Sequence, residues 1–266
     1  MNWRQQSVAS KSYLVAVYAL GVPAAWYCLS RPGYFSPEWF ALSIASVFVA
    51  TINIRLPKIS AVISMGDVFV IIALLNFGPA PALVTYWIDI TSAHFSDVFR
   101  KYGRQMKGKI LLHRFLFNVS CCAFCITAMD GSRLAVSRIG LNPSNTLLLA
   151  LFCMALSWFF VNTVTISAAI SFWMKKDFFS VWREGLHLCL LNFIGSAAAA
   201  GLIISFYERM GVFVFLLSVP MAVVFYQLYF VYITKYEQAQ THIADLNKLY
   251  LQTIDAMATA VDAKDR

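Results

Sequence analysis

The sequence predicts an all-α, polytopic integral membrane protein, a bundle of about eight transmembrane helices with both termini inside, followed by a cytoplasmic signalling helix. Three observations predict it. Of 266 residues, 60% are hydrophobic and only 13% charged, and the mean hydropathy is +0.67, far from the balance of a soluble globular domain. Lysine and arginine alternate in density from one interhelical segment to the next. The one long polar stretch is the last, Lys235 to Arg266.

Hydropathy places spans at Tyr13–Ser30, Trp39–Ile54, Ile59–Phe77, Ala80–Val98, Ile110–Ala128, Thr146–Phe172, Leu186–Phe206 and Val212–Thr234. The basic residues test that drawing independently. Segments on the inner side hold Arg4, Lys11, Arg55, Lys58, Arg100, Lys101, Arg104, Lys107, Lys109, Arg114, Lys175, Lys176, Arg183 and Lys235. The outer side holds Arg31, Arg133, Arg138 and Arg209, a count of fourteen against four. This asymmetry orients the bundle with both ends cytoplasmic. The net charge of +8 follows from that sidedness and calls for no nucleic-acid partner. The expected partners are the bilayer, a small ligand within the bundle and a second copy of the chain.

The first apolar run passes through Gly21 and Pro23 without a persuasive small-residue cleavage site, so it reads as a retained span. No internal repeat or low-complexity tract interrupts the chain, and the compositional boundary divides it into a membrane domain, 1–234, and a linker helix, 235–266.

Polar groups within the spans carry the functional expectation, because an ionisable side chain at membrane depth is costly. Spans three and four form a hairpin about Gly78-Pro79-Ala80-Pro81, which no continuous helix traverses. Counting outward from residue 79, Asp67 falls at the depth of about residue 91, within roughly 3 Å of Asp89 along the axis if both arms are helical. Two facing carboxylates hold a proton or welcome a cation or a protonated ligand. Asn118 and Asn162 lie near the middle of their spans and complete the candidate ligand-binding set. Amides there also serve as interhelical glue.

Other polar residues carry a weaker signal. Cys121, Cys122 and Cys125 fall close together in span five, and the six cysteines in all read more simply as small packing residues than as a redox or metal centre. His94, His113 and His187 cluster toward the inner side. Their spacing permits a metal or haem pair, and interfacial histidines bonded to loops or to Asp97 explain them as well. Trp87 and Trp158 lie deep enough to line a pocket or to pack.

In the polar tail, Ile243, Leu246, Tyr250, Met257 and Val261 recur at three-four spacing, widened by Leu249 and Ile254. They mark a helix with one apolar stripe, suited to transmit a signal and to pair with its copy as a parallel coiled coil. The last seventeen residues, YLQTIDAMATAVDAKDR, resemble the opening helix of HD-GYP phosphohydrolase domains, where a similar Ala-Ile-Asp-Ala-Lys-Asp run precedes the first metal-ligand histidines. The hairpin stretch ISMGDVFVIIALLNFGPAPALVTYWIDI resembles both the membrane-associated sensor (MASE-like) domains ahead of cyclic di-GMP enzymes and the substrate-capture subunits of vitamin transporters.

These resemblances imply an input module that regulates a cyclic di-GMP phosphodiesterase. Its catalytic His-Asp pair, divalent metals and Gly-Tyr-Pro loop would lie in an output domain not in this chain. No catalytic residue, metal site or cofactor is expected in the chain itself. The alternative expectation is a small-molecule transporter or substrate-capture membrane subunit.

Overall fold

A computed structural model describes residues 7–50, 53–55, 62–64, 66–102 and 111–264. Apart from one short ribbon their regular structure is helical: α1 (Val8–Ser30), α2 (Pro37–Ala50), α3 (Asp67–Asn76), α4 (Pro79–Tyr102), α5 (Leu111–Ser137), α6 (Pro143–Met174), α7 (Phe178–Met210) and α8 (Phe213–Lys264). Three of these helices, Val8–Ser30, Phe115–Ser137 within α5 and Pro143–Met174, are long and apolar enough to cross a membrane. The expected basic loop around 103–110 lies outside the described residues, as do the side chains of Arg55, Lys58, Asp97, Arg114, His187 and Val261.

Local chemistry sets the helix ends. Ser7 caps α1 by accepting from the Ser10 amide at 3.2 Å, Asn142 caps α6 from Asn145 at 2.9 Å, and Asp177 caps α7 from Ser180 at 2.9 Å. Each satisfies an amide that the first turn leaves without a partner. In α6 the cap is followed by Pro143 at the first helical position, where its missing N–H costs nothing.

The expected third span is the element that differs most from the sequence reading. Instead of a helix from Ile59, the chain forms an antiparallel ribbon, Asn53–Arg55 paired with Val62–Ser64, and only Asp67–Asn76 is helical. A ten-residue helix rises about 15 Å, half of a bilayer's hydrocarbon core. It is also buried on every side, with Phe69, Val70, Ile71, Ile72, Ala73 and Leu74 all in the core. Hydropathy cannot separate such a helix from the strand before it, because both are runs of apolar residues.

The core forms around α3. α3 packs on α2, α4 and α7, α4 also on α1 and α5, α5 on α1 and α6, and α6 on α7. Trp158 of α6 is fully buried and stacks edge-on against Tyr86 of α4, with ring centroids 5.2 Å apart. Its indole donates to the Tyr86 hydroxyl at 3.3 Å. Trp87 donates to the Val119 carbonyl at 3.2 Å. Both deep tryptophans thus pack and bond between helices. The chain divides into two compact units, the second beginning at Val224, upstream of the compositional boundary at Lys235.

The α3–α4 turn is pinned by the segment after α1. Tyr34 donates its backbone N–H to the Phe77 carbonyl at 3.2 Å and its hydroxyl to the Asn76 carbonyl at 2.6 Å. Gly78 has φ +97°, and a Cβ there would lie 2.6 Å from the Pro32 carbonyl oxygen. Gly140 has φ +76° with nothing within 4 Å of such a Cβ. Gly78→Ala is therefore expected to cost about 1–3 kcal/mol through strain and backbone collision, and Gly140→Ala about 1 kcal/mol through strain alone. Thermal unfolding in detergent reads the difference; equal losses would show that the Pro32 contact is absent.

Candidate functional site: a buried carboxylate layer

α3 begins at Asp67, and its N-cap residue is Gly66. Asp89, on α4, lies directly against that glycine: a Cβ on Gly66 would collide with Asp89 Oδ1 and sit 2.8 Å from Oδ2. Only glycine leaves room for a carboxylate there. The same contact puts Asp89 at the positive end of the α3 dipole, next to amides that lack intrahelical partners.

Asp67 and Asp89 are 7% and 1% exposed, and the Asp89 charge acts on Asp67. Asp67 and Asp89, expected at one depth of the hairpin, thus both lie at the N-terminal end of α3. Asp67 Oδ2 accepts from Asn192 Nδ2 on α7 at 2.9 Å, a side-chain bond that joins α7 to the first residue of α3. Tyr86, Cys122, Cys125 and Cys189 all lie close enough to feel the Asp67 charge. The layer therefore draws on α3, α4, α5 and α7 at once.

The other expected ligand residues, Asn118 and Asn162, lie on α5 and α6. Asn162 Oδ1 lies 3.5 Å from Cys121 Sγ, a bond between α6 and α5. Asn118 is half-buried on α5, one turn before Cys122. The amide that does reach a carboxylate is Asn192, which the sequence reading passed over. Its signal was a lone Asn in the apolar run Leu190-Leu191-Asn192-Phe193.

A second buried acid was also missed. Asp130 is fully buried and paired with Arg133, Nη2 to Oδ1 at 2.6 Å. The Tyr27 hydroxyl donates to its other oxygen at 3.4 Å, and Arg31 donates to that hydroxyl at 2.9 Å. Ending span five at Ala128 assigned this residue to a loop, whereas α5 continues to Ser137. Its charge is paired and hydrogen-bonded, which is what a structural buried acid requires.

Cys121, Cys122 and Cys125 are free and buried, as packing residues are. His94 packs at 5.9 Å from the Phe115 ring, and the His113 carbonyl accepts from the Tyr18 hydroxyl at 3.1 Å. Among the described residues no three His, Cys, Asp or Glu side chains group as a metal site would need.

On α8, Ile243, Leu246, Tyr250 and Met257 are all exposed, with Leu249 and Ile254 beside them. No protein-family model, curated protein or solved structure matches the chain.

Because the Asp89 carboxylate fills the space beside Gly66, Gly66→Ala is expected to destabilise the bundle by about 1–3 kcal/mol. Gly131→Ala, in helical α5 with nothing within 4 Å of its Cβ, is expected to be neutral or stabilising by up to about 1 kcal/mol. Parallel thermal melts of the two variants check this, and a tolerated Gly66→Ala would contradict the close approach.

Proposed function

We propose that the chain is the membrane sensory input module of a signalling protein, and that the Asp67–Asp89 layer is where it takes its stimulus. The observation that carries this reading is the pair of adjacent carboxylates sealed among four helices, with Asn192 holding one of them. Buried ionisable groups in membrane segments mark ligand or ion sites more often than scaffolding. In this reading all eight helices lie in a bacterial inner membrane, α3 reaching halfway, with both termini cytoplasmic, as the fourteen-to-four distribution of basic residues supports.

α8 is the output element. It is helical from Phe213 to Lys264, and its exposed stripe of Ile243, Leu246, Tyr250 and Met257 suits pairing with the same helix of a second copy. A ligand that binds one packing of the bundle better than another biases that pair, and a few kcal/mol of differential binding suffices. The resemblance of Tyr250–Arg266 to the first helix of HD-GYP domains supports a cyclic di-GMP phosphodiesterase as the regulated enzyme. Its divalent metals belong to that domain.

A substrate-capture or transporter role is the second reading, favoured by α3 itself. Secondary transporters build sites from short helices whose N-termini end among buried polar groups, as α3 ends at Asp67 and Asp89. Proteoliposomes separate the two: sodium or proton flux above that of empty vesicles supports transport, and flux at the empty-vesicle level supports the sensor.

For the sensor, Asp67→Asn in the full-length protein is expected to change phosphodiesterase output at least several-fold while membrane insertion and expression stay normal. Output indistinguishable from the parent would remove Asp67 from the stimulus site. Cysteine at Leu246 is expected to cross-link between copies in membranes under mild oxidation, and its failure to do so would contradict the paired α8.

A further inference from the structure

Within the bundle, helical hydroxyls satisfy themselves by bonding back to the carbonyl four residues earlier. Thr85, Thr91, Ser120, Thr127, Thr163 and Thr165 all do so at 2.6–3.0 Å, the usual solution for a helical hydroxyl out of water. Ser46 does not. It is 0% exposed, and its Oγ has no hydrogen-bond partner. A buried hydroxyl left that way costs about 1–3 kcal/mol, so its position in the fold is informative.

The contacts between α2 and α4 fix that position. The Trp39 indole donates to the Thr85 hydroxyl at 3.0 Å and to the Pro81 carbonyl at 3.3 Å, and Ser43 Oγ lies 3.4 Å from Thr85 Oγ1. Ser46 follows Ser43 by one turn on α2, and Asp89 follows Thr85 by one turn on α4. At about 1.5 Å per residue the two steps advance roughly 4.5 Å and 6 Å, and residues three or four apart share a helix face. Helix periodicity thereby places Ser46 on the α2 face that meets α4, at the depth of Asp89.

We propose that Ser46, Asp67, Asp89 and Asn192 form a binding site for a small monovalent metal cation of the sodium class, enclosed by α2, α3, α4 and α7. The proposal rests on the reading of the Asp67–Asp89 layer as the stimulus site and names what that site takes. All the donors are hard oxygens: two carboxylates, a hydroxyl, and the Asn192 carbonyl oxygen left over when its Nδ2 donates to Asp67. Hard cations select such sets.

Size excludes an organic cation. The Asp89 carboxylate is already packed on the Gly66 backbone, and Leu42, Val70 and Ile71, one turn from Ser46 and from Asp67 along their helices, are fully buried. Charge disfavours a divalent ion, since one of the two carboxylates also faces the positive end of α3. A proton bridging the carboxylates would leave the Ser46 hydroxyl still without a partner, whereas a metal ion takes it as a ligand.

The test is thermal unfolding of the purified full chain in detergent at fixed pH, titrated with sodium chloride against choline chloride at equal ionic strength. Sodium is expected to raise the melting temperature by several degrees with saturation, and choline is not. Ser46→Ala is expected to weaken the apparent sodium affinity about tenfold, the loss of one ligand worth about 1.4 kcal/mol, and Asp89→Asn to abolish the response. Ser132→Ala, whose hydroxyl bonds to the Ala128 carbonyl within α5 and to Ser157 of α6, should keep the response.

Identical sodium and choline curves would overturn the proposal. So would a sodium response that Ser46→Ala retains at full affinity, a readout that stands even where Asp89→Asn fails to fold. A stabilisation that acidification alone reproduces without sodium would assign the layer to a proton and likewise overturn it. The sensor reading stands or falls separately, on phosphodiesterase output: a cation site without effect on output leaves the site and removes the sensor, and the reverse result does the opposite.

Discussion

The bundle is organised by the burial of two carboxylates at the N-terminus of a short helix. Asp67 opens α3, Asp89 lies on the glycine before it, and Asn192 reaches across from α7 to hold Asp67 at 2.9 Å. Burying such charges is affordable only where dipoles and hydrogen bonds meet them. That requirement fixes much else: α3 must begin at that depth, residue 66 must be glycine, and α7 must present an amide at that level.

The shortness of α3 follows from the same constraint. A helix continuing upstream of Gly66 would use its first-turn amides internally and carry a chain through the space that Asp89 occupies. The ribbon of Asn53–Arg55 and Val62–Ser64 brings the chain to that point instead. At its other end α3 stops at Asn76, and the turn through Gly78 is locked by Gly33 and Tyr34. Trp39, Ser43 and Thr85 then tie α2 to α4 just before the carboxylates. Mechanically, the layer joins helices from distant parts of the chain, so a change at its carboxylates is felt by α3, α4 and α7 together.

How much of this was legible in the sequence depended on whether a signal was local. The long helices α1, α5 and α6 are continuous apolar runs, and their cores were read within a few residues at most ends. The common depth of Asp67 and Asp89 was also legible, because Gly78 and Pro79 fix where the hairpin folds and helical rise does the rest. Asn192 was not, since nothing local says which helix α7 faces. Asp130 was hidden by hydropathy, which falls where a helix turns polar, although the helix itself runs on to Ser137. Ser46 has no sequence signature at all: serine is ordinary in an apolar helix, and only the geometry shows its hydroxyl without the usual carbonyl partner. The apolar stripe on α8 was legible from spacing alone, because its residues need no partner from elsewhere in the chain to share a face.

The most direct measurement of the central claim is a double-mutant cycle between Asp67→Ala and Asn192→Ala, read as unfolding free energy in detergent. The side chains lie 125 positions apart in sequence and 2.9 Å apart in space. A typical intramolecular hydrogen bond is worth about 0.5–1.5 kcal/mol net, and the coupling energy should reach that range. Additive losses, with coupling near zero, would show that α7 does not hold Asp67 and that the carboxylate layer is not the constraint around which this bundle is built.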